Sequence, residues 1–160
     1  IHNVMSWFLN FMVKNFFLIN ILIFCLFITS LSLSKQLSYF DEGLSHYNKK
    51  EFIKSKFFFE KDIVLNPKSE KSYLYLAKIF RNQNNEEEQE VNLNNVLLLN
   101  PTNDEAIYML TLLKISQSDY NQSKELIDKF ILVCKSMCSK KSEIKDKLKK
   151  LIPEDAKDNN

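Results

Sequence analysis

Glycine is nearly missing from this 160-residue chain, with Gly43 as its single instance. No GxGxxG dinucleotide loop, P-loop or GxSxG nucleophile elbow can be written without more. A hairpin-rich β fold is also disfavoured, because its tight turns draw on glycine at positive φ. Histidine occurs twice, at His2 and His46, 44 positions apart, and neither forms a local pair with cysteine. His46 reads as a structural or exposed residue rather than a catalytic one. Arginine occurs once: of 22 basic residues only Arg81 is not lysine, and 20 acidic residues leave a net charge of +2. Nucleic-acid binders ordinarily carry a basic excess and use the planar arginine fork, so no nucleic-acid partner is expected. These shortages predict a non-enzymatic protein with no catalytic residues, metal, cofactor or small-molecule substrate.

The charge is unevenly distributed. No carboxylate precedes Asp41, and residues 1–40 carry only Lys14 and Lys35. Phe16 to Ile28 is a 13-residue run interrupted only by Asn20, and a serine-rich exit ends at Ser34. A basic flank, a short apolar core and a small-residue exit describe a secretory signal peptide over residues 1–34, with cleavage before Lys35. The alternative is a retained transmembrane anchor through residues 7–33, starting from Met5 or Met12, although Asn10, Lys14 and Asn15 interrupt it. A buried core helix is the third reading. Cys25 does not fit a lipoprotein site, because bulky Phe24 precedes it in mid-run. The first two readings place the rest of the chain outside the cytoplasm, in the bacterial periplasm or cell envelope.

Beyond this segment the chain repeats itself. Leu65-Asn66-Pro67 and Leu99-Asn100-Pro101 share one phrase, and the positions of their prolines differ by 34. The same shift aligns Gly43 with Ala77 and Thr111, Ser55 with Gln89 and Ser123, and Phe59 with Leu93 and Ile127. Small or short residues recur where helices would cross closely, and large apolar ones recur where a core needs volume. The spacing predicts paired helices: a first stripe Leu37, Phe40, Leu44, Tyr47, a turn at Asn48-Lys49-Lys50, then Phe52–Leu65. Tyr73, Leu76, Ala77 and Phe80 begin the next pair, and Glu86-Glu87-Glu88 suits a helix N-terminus. Ser118-Asp119-Tyr120 makes the third turn.

This pattern resembles the tetratricopeptide repeat (TPR), a helix–turn–helix unit of about 34 residues. The first copy reads Tyr39-x-x-Glu42-Gly43, Ser55-x-x-x-Phe59, Pro67. The second reads Tyr73-x-x-Leu76-Ala77, Gln89-x-x-x-Leu93, Pro101. The third reads Ile107-x-x-Leu110-Thr111, Ser123-x-x-x-Ile127, with Lys135 where proline would stand. The resemblance covers residues 36–136, as repeats 36–69, 70–103 and 104–136. It implies an all-α solenoid of three antiparallel helix pairs, preceded here by the hydrophobic N-terminal helix. A seventh, capping helix is expected over residues 137–152, starting near Ser139 and ending near Leu151. Its lysine-rich face reads as a solvated cap, with an anionic-lipid or nucleic-acid patch as the lesser reading. Residues 153–160 read as a disordered polar tail.

A TPR array implies a concave groove lined by the first helix of each pair. The family geometry places Phe40, Leu44 and Tyr47 there from the first copy, and Leu74, Tyr75, Lys78 and Arg81 from the second. Tyr108, Met109 and Leu112 come from the third. This would be an apolar, tyrosine-bearing groove with a cationic middle, fitted to a partner segment carrying hydrophobic and some acidic residues. The carboxylate clamp of chaperone-tail-binding members does not carry over, because those columns hold Phe40, Leu44, Tyr75, Glu105 and Met109. Cys134 and Cys138 lack the spacing of a redox CxxC and the four ligands of a zinc site. A disulfide joining the last hairpin to the cap and a pair of buried free thiols both remain open. The expected function is an exported adaptor binding a protein or peptide partner. A membrane-anchored assembly factor of the envelope is the alternative, and a thiol-redox protein is a weaker one.

Overall fold

The computed structural model describes Phe16 and residues 38–151. The chain divides into two units, Ile1–Gln36 and Leu37–Asn160. The expected leader or anchor, apart from Phe16, and the expected tail over residues 153–160 lie outside the described residues.

The described residues of the second unit are helical, with no strand. Seven α-helices run among them: α1 Tyr39–Asn48, α2 Phe52–Leu65, α3 Glu70–Asn82, α4 Glu86–Leu99, α5 Asp104–Ser116, α6 Tyr120–Val133 and α7 Lys141–Lys149. Side-chain caps start four of them. Ser38, Asn85, Asn103 and Asp119 accept backbone N–H bonds from Asp41, Glu88, Ala106 and Gln122, pairing donors that a helix start otherwise leaves free. Pro67 and Pro101 follow α2 and α4, where a missing N–H and a restricted preceding residue end a helix.

The period is carried into the backbone. The helices α2, α4 and α6 begin at positions 52, 86 and 120 and end at 65, 99 and 133, each 34 apart. The turns that enter them each contain one non-glycine residue at positive φ: Lys50 at 60°, Asn84 at 54° and Ser118 at 59°. This is the left-handed region that glycine usually takes. The chain makes all three turns without glycine, and it keeps its one glycine for a helix crossing.

Each helix packs on its chain neighbours, and α7 rests on both α6 and α5. Three aligned columns are buried: Gly43, Ala77 and Thr111; Ser55, Gln89 and Ser123; Phe59, Leu93 and Ile127. A Cβ on Gly43 would lie 2.7 Å from two ring carbons of Phe59, so α1 approaches α2 more closely than alanine permits. Ser55 donates its hydroxyl to the Gly43 carbonyl at 2.8 Å, at the same crossing. One core cluster centres on Phe59, Leu76, Ile79 and Phe80; the other joins Ala77, Leu93 and Val96 to Ile107, Ile127, Phe130 and Ile144. Each large side chain among them contributes about 1.5–3 kcal/mol of burial free energy.

The C-terminal element is a 3₁₀ turn over Cys138–Lys140 that runs directly into α7, Lys141–Lys149, with no side-chain cap, so the helical stretch starts within one residue of the expected Ser139 and ends short of Leu151. Just upstream, a disulfide between Cys134 and Cys138 closes a short loop.

Candidate functional site

The aromatic residues expected in the groove mostly pack on one another. Tyr75 on α3 meets Phe59 at 5.2 Å between ring centroids, Tyr47 at 5.0 Å and Phe40 at 5.9 Å. Edge and offset contacts of this kind add about 0.5–1.5 kcal/mol per pair. Lys71 and Lys78 lie over Phe40 and Tyr75, with Nζ 5.8 and 4.6 Å from the ring centroids. Leu44 and Leu74 are half-buried.

A depression of about 450 Å³ is lined by Tyr47, Lys78, Arg81, Asn82, Glu105, Tyr108, Met109 and Met137. A second, of about 220 Å³, shares Arg81 and Met109 and adds Leu112 with Asn84, Glu86, Gln89, Leu113 and Ser116. Of the ten groove residues expected from the sequence, these depressions bring together Tyr47, Lys78, Arg81, Tyr108, Met109 and Leu112. They do not include Phe40, Leu44, Leu74 or Tyr75.

The charges are partly spent. Lys78 pairs with Glu105 at 2.8 Å, from α3 to α5. Arg81 is exposed and has no ion pair among the described residues. Its guanidinium, with five donors, is therefore available to an anion between the two depressions. Tyr108 is only 8% exposed and Met109 4%, so both form floor rather than rim. The Tyr108 hydroxyl donates to Glu143 on α7 at 3.0 Å. Burial, followed by that hydrogen bond, raises the Tyr108 pKa. Glu143 is lowered by its bond from Lys140 and then by that from Tyr108. The capping helix thus closes one end of the first-helix face.

The apolar character expected of this face is found elsewhere. Among the described residues of the second unit, every exposed large hydrophobic lies on α2, α4 or α6: Ile53, Phe57, Val64, Leu65, Val91, Leu98, Leu99, Tyr120 and Leu132. The larger depression carries Lys78, Arg81, Asn82 and Glu105 beside buried Tyr108 and Met109.

Three polar arrangements had no sequence motif to announce them. Lys114 is nearly buried on α5, where it pairs with Glu90 on α4 at 2.6 Å. Glu70 at the start of α3 accepts from the side-chain amides of Asn100 and Asn103 in the next inter-hairpin turn. One period later, Asp104 at the start of α5 accepts backbone N–H bonds from Lys135, Ser136 and Met137 at 2.7–3.0 Å, and the Ser136 hydroxyl. Burial raises the Asp104 pKa, but these four donors outweigh it and hold the carboxyl below its ordinary value. The recurrence of an acid at positions 70 and 104 was the available signal. Cys134 and Cys138 bracket these donors in a disulfide, Cα to Cα 5.3 Å.

His46 stacks on Phe58 with centroids 5.2 Å apart and bonds Glu51 through Nδ1. That bond is the main reason the Glu51 pKa is lowered. His46 joins α1 to α2 and lines neither depression. Among the described residues no group of three His, Cys, Asp or Glu side chains could hold a metal ion. No described helix is long and apolar enough to cross a membrane. No protein-family model matches the sequence, and no curated protein matches it.

Proposed function

We propose that this chain is a TPR-type adaptor, a non-enzymatic scaffold that holds a segment of a partner protein against the first helices of its hairpins. Support for the repeat assignment comes from helix ends, turns and close-packing columns that all recur with one period of 34. The functional reading rests on one observation: exposed, unpaired Arg81 stands where two depressions meet over the apolar floor of Met109. A segment presenting a carboxylate beside an apolar side chain would satisfy both, since an arginine fork grips carboxylate in two-point fashion. An exported adaptor follows if residues 1–34 are cleaved, and a membrane-anchored assembly factor of the cell envelope follows if residues 7–33 are retained. The mature N-terminus, read by mass spectrometry, separates the two.

Tyr108 is buried and Tyr75 packs half-buried against a core cluster, so both are poor probes. A photo-crosslinking residue at Leu112, compared with one at exposed Lys124 on α6, tests the groove directly. Crosslinks to one defined polypeptide should form from Leu112, weaken with Arg81→Glu, and be missing from Lys124. Equal yields from both sites would remove the groove reading.

A further inference from the structure

Val64, Leu98 and Leu132 recur at the repeat period, each the penultimate residue of its helix, and are 78, 81 and 83% exposed. Leu65 and Leu99 extend the row at 72 and 36% exposure, and Phe57 and Val91 stand one helical heptad earlier at 51 and 50%. Scattered exposed apolar residues are ordinary; a row repeated in register over three second helices is not scattered. It lines neither groove depression.

The residues flanking the row carry a pattern of their own. Four positions before each row residue stand Glu60, Asn94 and Asp128; three positions before stand Lys61, Asn95 and Lys129. At about 3.6 residues per turn these two positions fall on opposite sides of the row residue. The outer two helices therefore carry acid on one side and base on the other, and the middle helix carries two neutral amides. None of the six is buried. Asp128 and Lys129 form no ion pair among the described residues, and Glu60 holds only an exposed pair with Lys56 at 3.1 Å.

We propose that this row is a self-association face, and that its occupant is a second copy of this chain. A twofold axis running parallel to the second helices places Leu98 against Leu98 and Val64 against Leu132 of the second copy. That rotation exchanges left and right, so Glu60 meets Lys129 of the second copy and Lys61 meets its Asp128. Asn94 faces Asn95, a donor and acceptor amide pair. A twofold axis at right angles instead pairs each outer helix antiparallel with itself, which leaves Glu60 and Lys61 about 12 and 9 Å from their own counterparts and brings no acid onto a base. The pattern of acid and base therefore selects the first arrangement, in the self-complementary manner of isologous interfaces. A net charge of only +2 offers little long-range repulsion between copies.

Cysteine pairing in the full chain, with Cys25→Ser as background, tests the arrangement. Leu98→Cys should form a covalent dimer under mild oxidation. Val64→Cys and Leu132→Cys should each remain monomeric alone and couple to one another when isotopically distinct chains are mixed. Glu60→Lys should slow the Leu98→Cys coupling by roughly two- to fivefold, as the loss of an exposed ion pair predicts, and Lys129→Glu in the same chain should restore it. Val64→Cys coupling with itself as fast as with Leu132→Cys would overturn the proposed axis. No coupling from any of the three, with helicity unchanged by circular dichroism, would overturn self-association and leave the row to a different partner.

Discussion

The backbone N–H of Lys135 donates to the carboxylate of Asp104 at 2.8 Å, at the position where the two earlier inter-hairpin turns carry Pro67 and Pro101. Proline has no N–H, so the apparent lapse in the repeat pattern is where the chain fastens its last hairpin. Cys134 ends α6 at φ −57° and ψ 139°, a conformation that a following proline would accept.

Restoring the repeat pattern should therefore weaken the protein. Lys135→Pro is expected to lower stability by about 1–3 kcal/mol through loss of a charge-assisted bond. Urea unfolding followed by circular dichroism measures it, and an equal or higher midpoint would remove this account of the turn.

Asp104 should show itself in the pH dependence. Its folded pKa lies below the ordinary aspartate value of 3.8, so the folded state binds the proton less readily than the unfolded one. The resulting stability is fully present above the ordinary value and is lost as pH falls through the lower folded value. Asp104→Asn should cost about 1–2 kcal/mol at pH 7, and the gap from the parent protein should narrow below about pH 4. Parallel stability curves down to pH 2 would contradict the proposed donor set.

Gly43→Ala sets two effects against each other. Replacing glycine inside a helix gains about 1 kcal/mol of propensity. The new Cβ, however, meets the buried Phe59 ring at 2.7 Å, and forced overpacking costs about 1–3 kcal/mol. A net loss is expected, relieved when Phe59→Leu is added in the same chain. A stabilised single variant would show that α1 can shift away from α2 at little cost.

Two serines in the same repeat column should respond in opposite ways. Ser55 donates to the Gly43 carbonyl, whereas the Ser123 hydroxyl is buried with no hydrogen-bond partner among the described residues. Ser55→Ala should cost about 0.5–1.5 kcal/mol, and Ser123→Ala should be neutral or stabilising by up to about 1 kcal/mol. Thermal unfolding of the two variants side by side decides it, and an equal loss from both would sink the distinction.

Helix content and hairpin order were legible because their causes are local. Polar caps, proline after a helix, and apolar spacing act over one or two turns, and they located α2 over Phe52–Leu65 and the start of α4 at Glu86. Burial of the aligned columns was legible because a small residue facing a large one describes a crossing. The fastening of the loop between Cys134 and Cys138 to Asp104 was not, since it joins residues more than thirty positions apart.

The groove was legible only in part. Tyr47, Lys78, Arg81, Tyr108, Met109 and Leu112 line depressions, yet Tyr75 turns its ring into neighbouring aromatic contacts. A residue's place on a first helix follows from its number in the repeat, but its exposure depends on what the adjacent helices bring over it. By itself the sequence determined a helical chain with a period of 34, because capping and periodicity are written in neighbouring residues. Only the tertiary structure decided that Lys78 is neutralised by Glu105 while Arg81 has no ion pair among the described residues, and that the exposed large hydrophobics described in the second unit lie on α2, α4 and α6. Those outcomes depend on side chains roughly thirty residues apart coming within a few ångströms, a distance that no local pattern encodes.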